Sequence, residues 1–420
     1  MLRSVSLHRF KQFRNQTIRL RPSGVTLLAG GNNAGKSSLL HGLAVWQFCK
    51  TAIEMERGGD AFLAGARRQG LGLGDDQFSP IHVPSLKHLW TNLATQRVDE
   101  PDGYTLKIRC DWEEEGARYL EFGLSLANDR LFIKATDSNL TSTHHIPRLA
   151  YLPPFAGITA REMRLPGAIR RRRIGEGLAG AVLRNLLLDL QTRNGLERMS
   201  LREGRTKIRD PDLKHLRETD AWELLQVSLR ETFGAELDIA PFSDEYHSYI
   251  SVEVVKGTVE GYKLKRYPNY HSRDLMVEGS GFLQWLSVFA LALDPTIDVL
   301  LLDEPDAHLH TSLQDHLVEN LANLAVARAK QVLIATHSTE ILRAAEPETV
   351  LEFRNRGAPR YLVADHQKTA LLAGLGADYA PRIDRLRKDE TSAVRRGHER
   401  SCCPARNRRE GQSADIPAMG

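Results

Sequence analysis

Residues 25–40, VTLLAGGNNAGKSSLL, decide the fold. Positions 25–29 are apolar and partly β-branched, which predicts a short buried strand. The eight residues that follow, Gly30-Gly31-Asn32-Asn33-Ala34-Gly35-Lys36-Ser37, satisfy G-x-x-x-x-G-K-[ST] in full, and a helix is expected to open at Lys36. Gly30 and Gly35 let backbone approach a phosphate without a Cβ in the way. Successive N–H groups, from Asn32, Asn33 and Ala34 into the helix at Ser38, then form a positive concavity. Lys36 is placed to reach β- and γ-phosphates, and Ser37 to put a hydroxyl on Mg²⁺. A Gly-rich turn arising by chance lacks both the strand before it and the helix after it.

A loop of this kind needs carboxylates from a neighbouring strand. Residues 297–305, IDVLLLDEP, supply them: an almost continuous apolar run ends in Asp303-Glu304. A strand so apolar is buried on both faces, as in a parallel sheet, and ligands sit beyond the carboxyl ends of such strands. Asp303 is expected to hold Mg²⁺ and Glu304 to accept a proton from attacking water. A third apolar run, 331–335 (QVLIA), ends in Thr336-His337-Ser338, where His337 is suited to sense the γ-phosphate or the attacking water.

Around these three stretches the chain is ordinary for a globular protein of two or three domains: 420 residues, 41% hydrophobic, 26% charged. The longest apolar run, 282–293, is interrupted by Gln284 and Ser287 and is too short for a bilayer, so no membrane span or membrane partner is expected. The N-terminus alternates basic and apolar residues, unlike a signal peptide, and the four cysteines contain no C-x-x-C pair. A cytoplasmic protein is expected. Residues 382–420 hold ten basic and six acidic residues, which accounts for the whole net charge of +4. A basic tail of this kind suits nucleic acid or is plain solvated surface.

Period-two alternation predicts a hairpin over 1–20 flanking the phosphate-loop strand, an antiparallel three-stranded meander over 104–135, a further buried strand at 148–153, and a hairpin over 249–266. The helix from Lys36 is expected to bury one face. Helices are expected over about 177–190 and 210–233. Six arginines fall between 161 and 173, four of them consecutive (Arg170 to Arg173), and read either as a phosphate contact or as the exposed start of a helix.

DEPDAHLH (303–310) and IATHSTEIL (334–342), joined to GGNNAGKSSLL, resemble the ABC-type ATPases that include RecF, SMC proteins and above all the OLD (overcoming lysogenization defect) family. The resemblance covers about 1–50 and 275–365. It implies an α/β P-loop NTPase of two lobes with a mixed sheet and an antiparallel and helical insertion. The division expected is 1–50 and 275–365 for the ATPase core, 51–274 for the insertion, and 366–420 for a helical linker and tail. It further implies a Mg²⁺-dependent ATPase working as a homodimer that sandwiches ATP. EGSGFLQ (278–284) resembles the family's signature loop, with Ser280 presented to the γ-phosphate of the second subunit. His308 and His310 invite a metal reading as H-x-H, but the resemblance places 306–310 in the D-loop, where two subunits meet. No glutamine stands where the family's Q-loop has one; Gln77 and the turn after Tyr151 are the candidates, and the role is left unassigned.

DNA transactions such as repair or phage defence, and an effector protein as a possible partner, are what the resemblance implies about role. The alternatives are a dimer clamp with negligible turnover and the ATPase part of an OLD-type nuclease. Such proteins continue into a metal-dependent TOPRIM nuclease, whereas residues from about Asp389 lack apolar periodicity. Codons can be chosen so that reading one base later gives an apolar strand ending in glutamate, so the tail is expected to be a frameshifted remnant of that domain.

Overall fold

The computed structural model describes residues 1–375 apart from 67–68, 97–99, 101, 142–143, 155–156 and 355–356. The basic stretch at 382–420, with Cys402, Cys403 and the frameshift reading, lies outside the described residues.

In chain order, strands β1 (Leu2–Phe10), β2 (Phe13–Arg19) and β3 (Gly24–Ala29) lead into helix α1 (Lys36–Arg57). Strands β4 (Leu71–Leu73), β5 (Leu106–Glu113), β6 (Ala117–Ala127), β7 (Arg130–Ser138) and β8 (Leu149–Leu152) follow. Helices α2 (Gly167–Gly175), α3 (Leu183–Arg202), α4 (Asp210–Thr219) and α5 (Ala221–Phe233) precede short strands β9 (Ala235–Ile239), β10 (Val252–Glu260), β11 (Lys263–Arg266) and β12 (Arg273–Asp274). Then come α6 (Ser280–Leu293), β13 (Val299–Asp303), α7 (Thr311–Ala327), β14 (Gln331–Ala335) and α8 (Thr339–Ala344). Strands β15 (Val350–Glu352) and β16 (Arg360–Tyr361) and helix α9 (Asp365–Gly374) close the described chain.

The architecture is mixed α/β. The core sheet runs β16-β15-β3-β14-β13-β8, parallel except for β16. Strands β8, β13 and β14 are buried at every position, as their unbroken apolar runs require. A second, antiparallel sheet runs β2-β1-β5-β6-β7-β4 and contains the expected meander. The hairpin β1–β2 belongs to this second sheet rather than flanking β3. Its alternating pattern gives one buried and one wet face, which fits an antiparallel sheet and not the doubly covered core.

Helix α1 lies between the sheets, touching β8, β13 and β14 on one side and β1, β5 and β7 on the other. For that reason it buries nearly its whole circumference, including Leu40, Val45, Trp46, Phe48 and Cys49, and not the single face its spacing suggested. Gly42 marks a close approach to β1: a Cβ there would stand 2.7 Å from Leu7 Cδ2. A fully buried amide also joins the sheets. Gln331 in β14 accepts from the Leu2 N–H at 3.1 Å, and donates to the carbonyls of Leu2 (3.1 Å) and Arg21.

The helical region departs from expectation. The consecutive arginines lie inside their own helix, α2, and the long helix starts at Leu183, not at about 177, and runs to Arg202. Gly177, at φ 75°, breaks the chain between them. Helices α4 and α5 divide at Asp220, whose carboxylate caps α5 by accepting from the Trp222 and Glu223 N–H groups.

Candidate functional site

The parallel strands β3, β13 and β14 are neighbours, so the loops at their carboxyl ends meet. Gly30 follows β3 at φ 149°, where a Cβ would stand 2.3 Å from the Phe353 carbonyl oxygen. Gly35 N-caps α1 at φ 114°, and a Cβ there would stand 2.2 Å from Gln12 Nε2. Only glycine fits either place. Between them Gly31, Asn32 and Asn33 are exposed, with Asn33 itself left-handed at φ 60°, and Ala34 is buried. The first turn of α1 leaves backbone N–H groups without helical partners at this mouth.

Lys36 is buried, and its ammonium donates to the carbonyls of Gly30 (2.8 Å) and Gly31 (3.1 Å). Burial lowers its pKa, against the attraction of Glu304 and Asp303. Ser37 Oγ donates to Asp303 Oδ1 at 2.9 Å, across 266 positions of sequence. Asp303 is 3% exposed, and burial raises its carboxyl pKa although Ser37 and Tyr151 both donate to it.

Glu304 departs from the strand at φ 48°, with its N–H bonded to the Ala335 carbonyl at 2.8 Å. This left-handed backbone is costly for a residue with a side chain. It turns the carboxylate toward His337, whose Nε2 stands 3.5 Å from Glu304 Oε1. Burial and then the nearby Lys36 charge lower the His337 pKa, so the ring is neutral at pH 7.

Other members of the site are not in the sequence motifs. Tyr151, at the β8 position beside β13, donates its hydroxyl to Asp303 Oδ2 at 3.2 Å. His41 Nε2 lies 3.1 Å from that hydroxyl, and Lys11 Nζ 2.5 Å from His41 Nδ1. Desolvation first and Lys11 second push the His41 pKa down to about 3, and desolvation brings Lys11 to about 8. Neutral His41 therefore accepts from the Lys11 ammonium and donates to Tyr151, and the chain of bonds points one way, into Asp303. Gln12, in the β1–β2 turn, accepts from Ser38 Oγ at 3.0 Å and donates to the Asn33 carbonyl at 3.5 Å. A glutamine does thus touch the loop, from a turn that no glutamine pattern marked. Gln77 instead caps a short turn at Gly74.

The segment after Glu304 is tied to the His337 loop by Gln314. Its amide donates to the Asp306 and Leu309 carbonyls and accepts from Ser338 Oγ at 2.6 Å. His310 caps α7 by accepting from the Ser312 N–H at 3.3 Å, and among the described residues no three His, Cys, Asp or Glu side chains gather as a metal cluster. The H-x-H metal reading is therefore set aside. Ser280 opens α6, exposed, and among the described residues no hydrogen bond joins it to Lys36, Asp303 or Glu304. Gly281 beside it packs on the 303–310 segment: a Cβ there would stand 2.8 Å from the His308 carbonyl.

Two AAA-domain families match parts of this chain. One, described as "AAA domain, putative AbiEii toxin, Type IV TA system", matches residues 196–343. Another AAA domain matches residues 4–77. The first stretch holds Asp303, Glu304 and His337, and the second holds the loop with Lys36. No curated protein matches the sequence. Among solved structures, an SMC head bound to the C-terminal winged-helix domain of ScpA is 10% identical, with 87% of this chain and 99% of that one covered and a TM-score of 0.45. An SMC head with an extended coiled coil, bound to the C-terminal domain of ScpA from Pyrococcus furiosus, is 9% identical over 90% and 99%, with a TM-score of 0.42. The SMC head of Thermotoga maritima is 12% identical over 86% and 99%, with a TM-score of 0.39.

Proposed function

We propose that this chain binds ATP with Mg²⁺ at the 30–38 loop and hydrolyses it. The observation that carries the reading is the Ser37–Asp303 contact at 2.9 Å, which brings a hydroxyl and a carboxylate together at the loop mouth from opposite ends of the sequence. The two glycine positions that admit no Cβ support a phosphate cradle there. Hard oxygen donors, few in number, suit Mg²⁺, which keeps water and phosphate as its other ligands. Ser37 and Asp303 would hold the ion, and bound there it would neutralise phosphate charge. Lys36 would exchange its two carbonyl partners for phosphate oxygens. Glu304 would take the proton of the attacking water, with His337 beside it sensing the γ-phosphate.

The exposed Ser280 fits a composite site in which a second copy contributes it, so that ATP holds a homodimer together. The likeness of the three motifs to the OLD family supports a role in DNA transactions, repair or phage defence, with an effector protein as possible partner. The match over residues 196–343 to an AAA-domain family of putative AbiEii toxins suggests the toxin side of a toxin–antitoxin pair as another setting. Phosphate release from ATP by the purified chain is the test. Lys36→Ala is expected to abolish nucleotide binding. Glu304→Gln is expected to keep binding and lose roughly 10² to 10⁴ in rate. Hydrolysis by Glu304→Gln at the wild-type rate removes the base assignment. A wild type that dimerises with ATP and releases no phosphate makes the chain a clamp.

A further inference from the structure

The structure sorts the arginines of the 161–173 stretch. Arg164 and Arg170 both reach Asp189, and Arg172 holds Glu176 at 2.6 Å. Arg161 lies over the Tyr249 ring. Arg171 and Arg173 have no carboxylate partner among the described residues. Arg171 lines a cavity of about 220 Å³ between α1 and α2, together with Lys50, Glu54, Arg148, Arg172 and Thr296.

Lys50 is 3% exposed, and its ammonium is held by two carbonyls, Ile146 (2.9 Å) and Pro147 (3.1 Å), not by a carboxylate. Arg148 is half-buried and its guanidinium also lacks a carboxylate partner among the described residues; the nearby Asp298 is taken by the Arg148 N–H and by His145. Three cationic side chains without a carboxylate partner among the described residues, Lys50, Arg148 and Arg171, thus line one cavity, Lys50 with its ammonium turned to the Ile146 and Pro147 carbonyls. Glu54 stands on the wall as the opposing charge, and Glu176 is occupied by Arg172. Like charges held together in a concave, partly dry site repel, and an anion bound between them removes that repulsion. Guanidinium forks match phosphate oxygens in particular.

We propose that this cavity is a second anion site, built to take a phosphate group between Arg148 and Arg171 above Lys50. It is separate from the 30–38 loop. Arg148 and Thr296 precede β8 and β13, so the cavity lies at the amino ends of strands whose carboxyl ends carry the candidate site. Lys50 stands about 21 Å along α1 from Lys36. The phosphate belongs either to a small free molecule or to a nucleic-acid strand, and the same chemistry reads both.

Calorimetric titration of the full chain with pyrophosphate, in a Lys36→Ala background that silences the loop, tests the assignment. One site is expected, weakened at least tenfold by Arg148→Ala with Arg171→Ala. Arg173→Ala, an unpaired arginine outside the cavity, is expected to leave it unchanged. If two sites are seen, Lys36→Ala has not silenced the loop, and the cavity assignment then stands if the double substitution weakens one of them and falls if it weakens neither. In a parallel arm, a single-stranded oligonucleotide replaces pyrophosphate. If it alone binds and is weakened by the double substitution, the phosphate is that of a nucleic acid. Unfolding midpoints verify that the surface variants stay folded. If the double substitution weakens neither probe, the site does not exist.

Discussion

Asp303 is held from both sides, by Ser37 on Oδ1 and by Tyr151 on Oδ2, and the second contact rests on His41 and Lys11 behind it. Removing the Tyr151 hydroxyl leaves a half-buried His41 N–H and a buried carboxylate oxygen without their partner, which costs about 1–3 kcal/mol of stability. It also takes away one of the two donors that favour the ionised carboxylate, so the Asp303 pKa rises further. Tyr151→Phe is therefore expected to raise the half-saturating Mg²⁺ concentration for ATP hydrolysis several-fold while ATP binding without metal is kept. An unchanged Mg²⁺ curve would show that Tyr151 does not position Asp303. Sequence alone marked Lys36, Ser37, Asp303, Glu304 and His337, because each sits in a short contiguous motif with a strand beside it. Gln12, His41 and Tyr151 were not legible in this way: each is a lone polar residue whose role depends on which strand lies next to which.

Helices and strands were readable to the extent that their periodicity had one cause. The buried strands β13 and β14 and the meander answered to apolar runs and alternation. Helix α1 looked one-faced because its second contact, the antiparallel sheet, comes from distant residues. Helix α2 was invisible as a helix because its sequence, GAIRRRRIG, has almost no apolar stripe. Two predictions belong to elements. Ser280→Arg at the start of α6 is expected to block ATP-driven dimers of the Glu304→Gln chain while a monomer still binds ATP; sedimentation showing unchanged dimers would remove the composite site. The second concerns the turn before β14, where buried Lys330 donates to the Asp294 carbonyl that follows α6. Desolvation brings its pKa to about 8 from 10.5. Between those two values the folded chain has shed a proton that the unfolded chain keeps, so wild-type stability gains with rising pH there. Relative to Lys330→Met the gain reaches about 3 kcal/mol at most. Denaturant unfolding of both proteins at pH 7.5 and 10 measures it, and a pH-independent difference contradicts the assignment.

At the scale of the molecule, the two sheets are held together by α1 and by the Gln331 amide. Gln331→Leu keeps the volume but leaves the Leu2 N–H and the Leu2 and Arg21 carbonyls unpaired in a dry place. A loss of about 1–3 kcal/mol per orphaned group is expected, read as a fall in the denaturant midpoint with unchanged slope. An unaltered midpoint would mean that water reaches these groups. The strand order carries one more consequence, for a chain emerging from a ribosome. The antiparallel sheet is complete once residue 138 is made, yet β3, with the loop attached, pairs only with residues 331–335 and 350–352. At about 5–20 residues per second, the interval between β3 and its partners lasts roughly 15–60 s. Over that interval β3 has no strand to pair with, and α1 has only the antiparallel sheet to pack against, complete from residue 138 onward, so exposed apolar surface and dependence on chaperones are expected of the nascent chain.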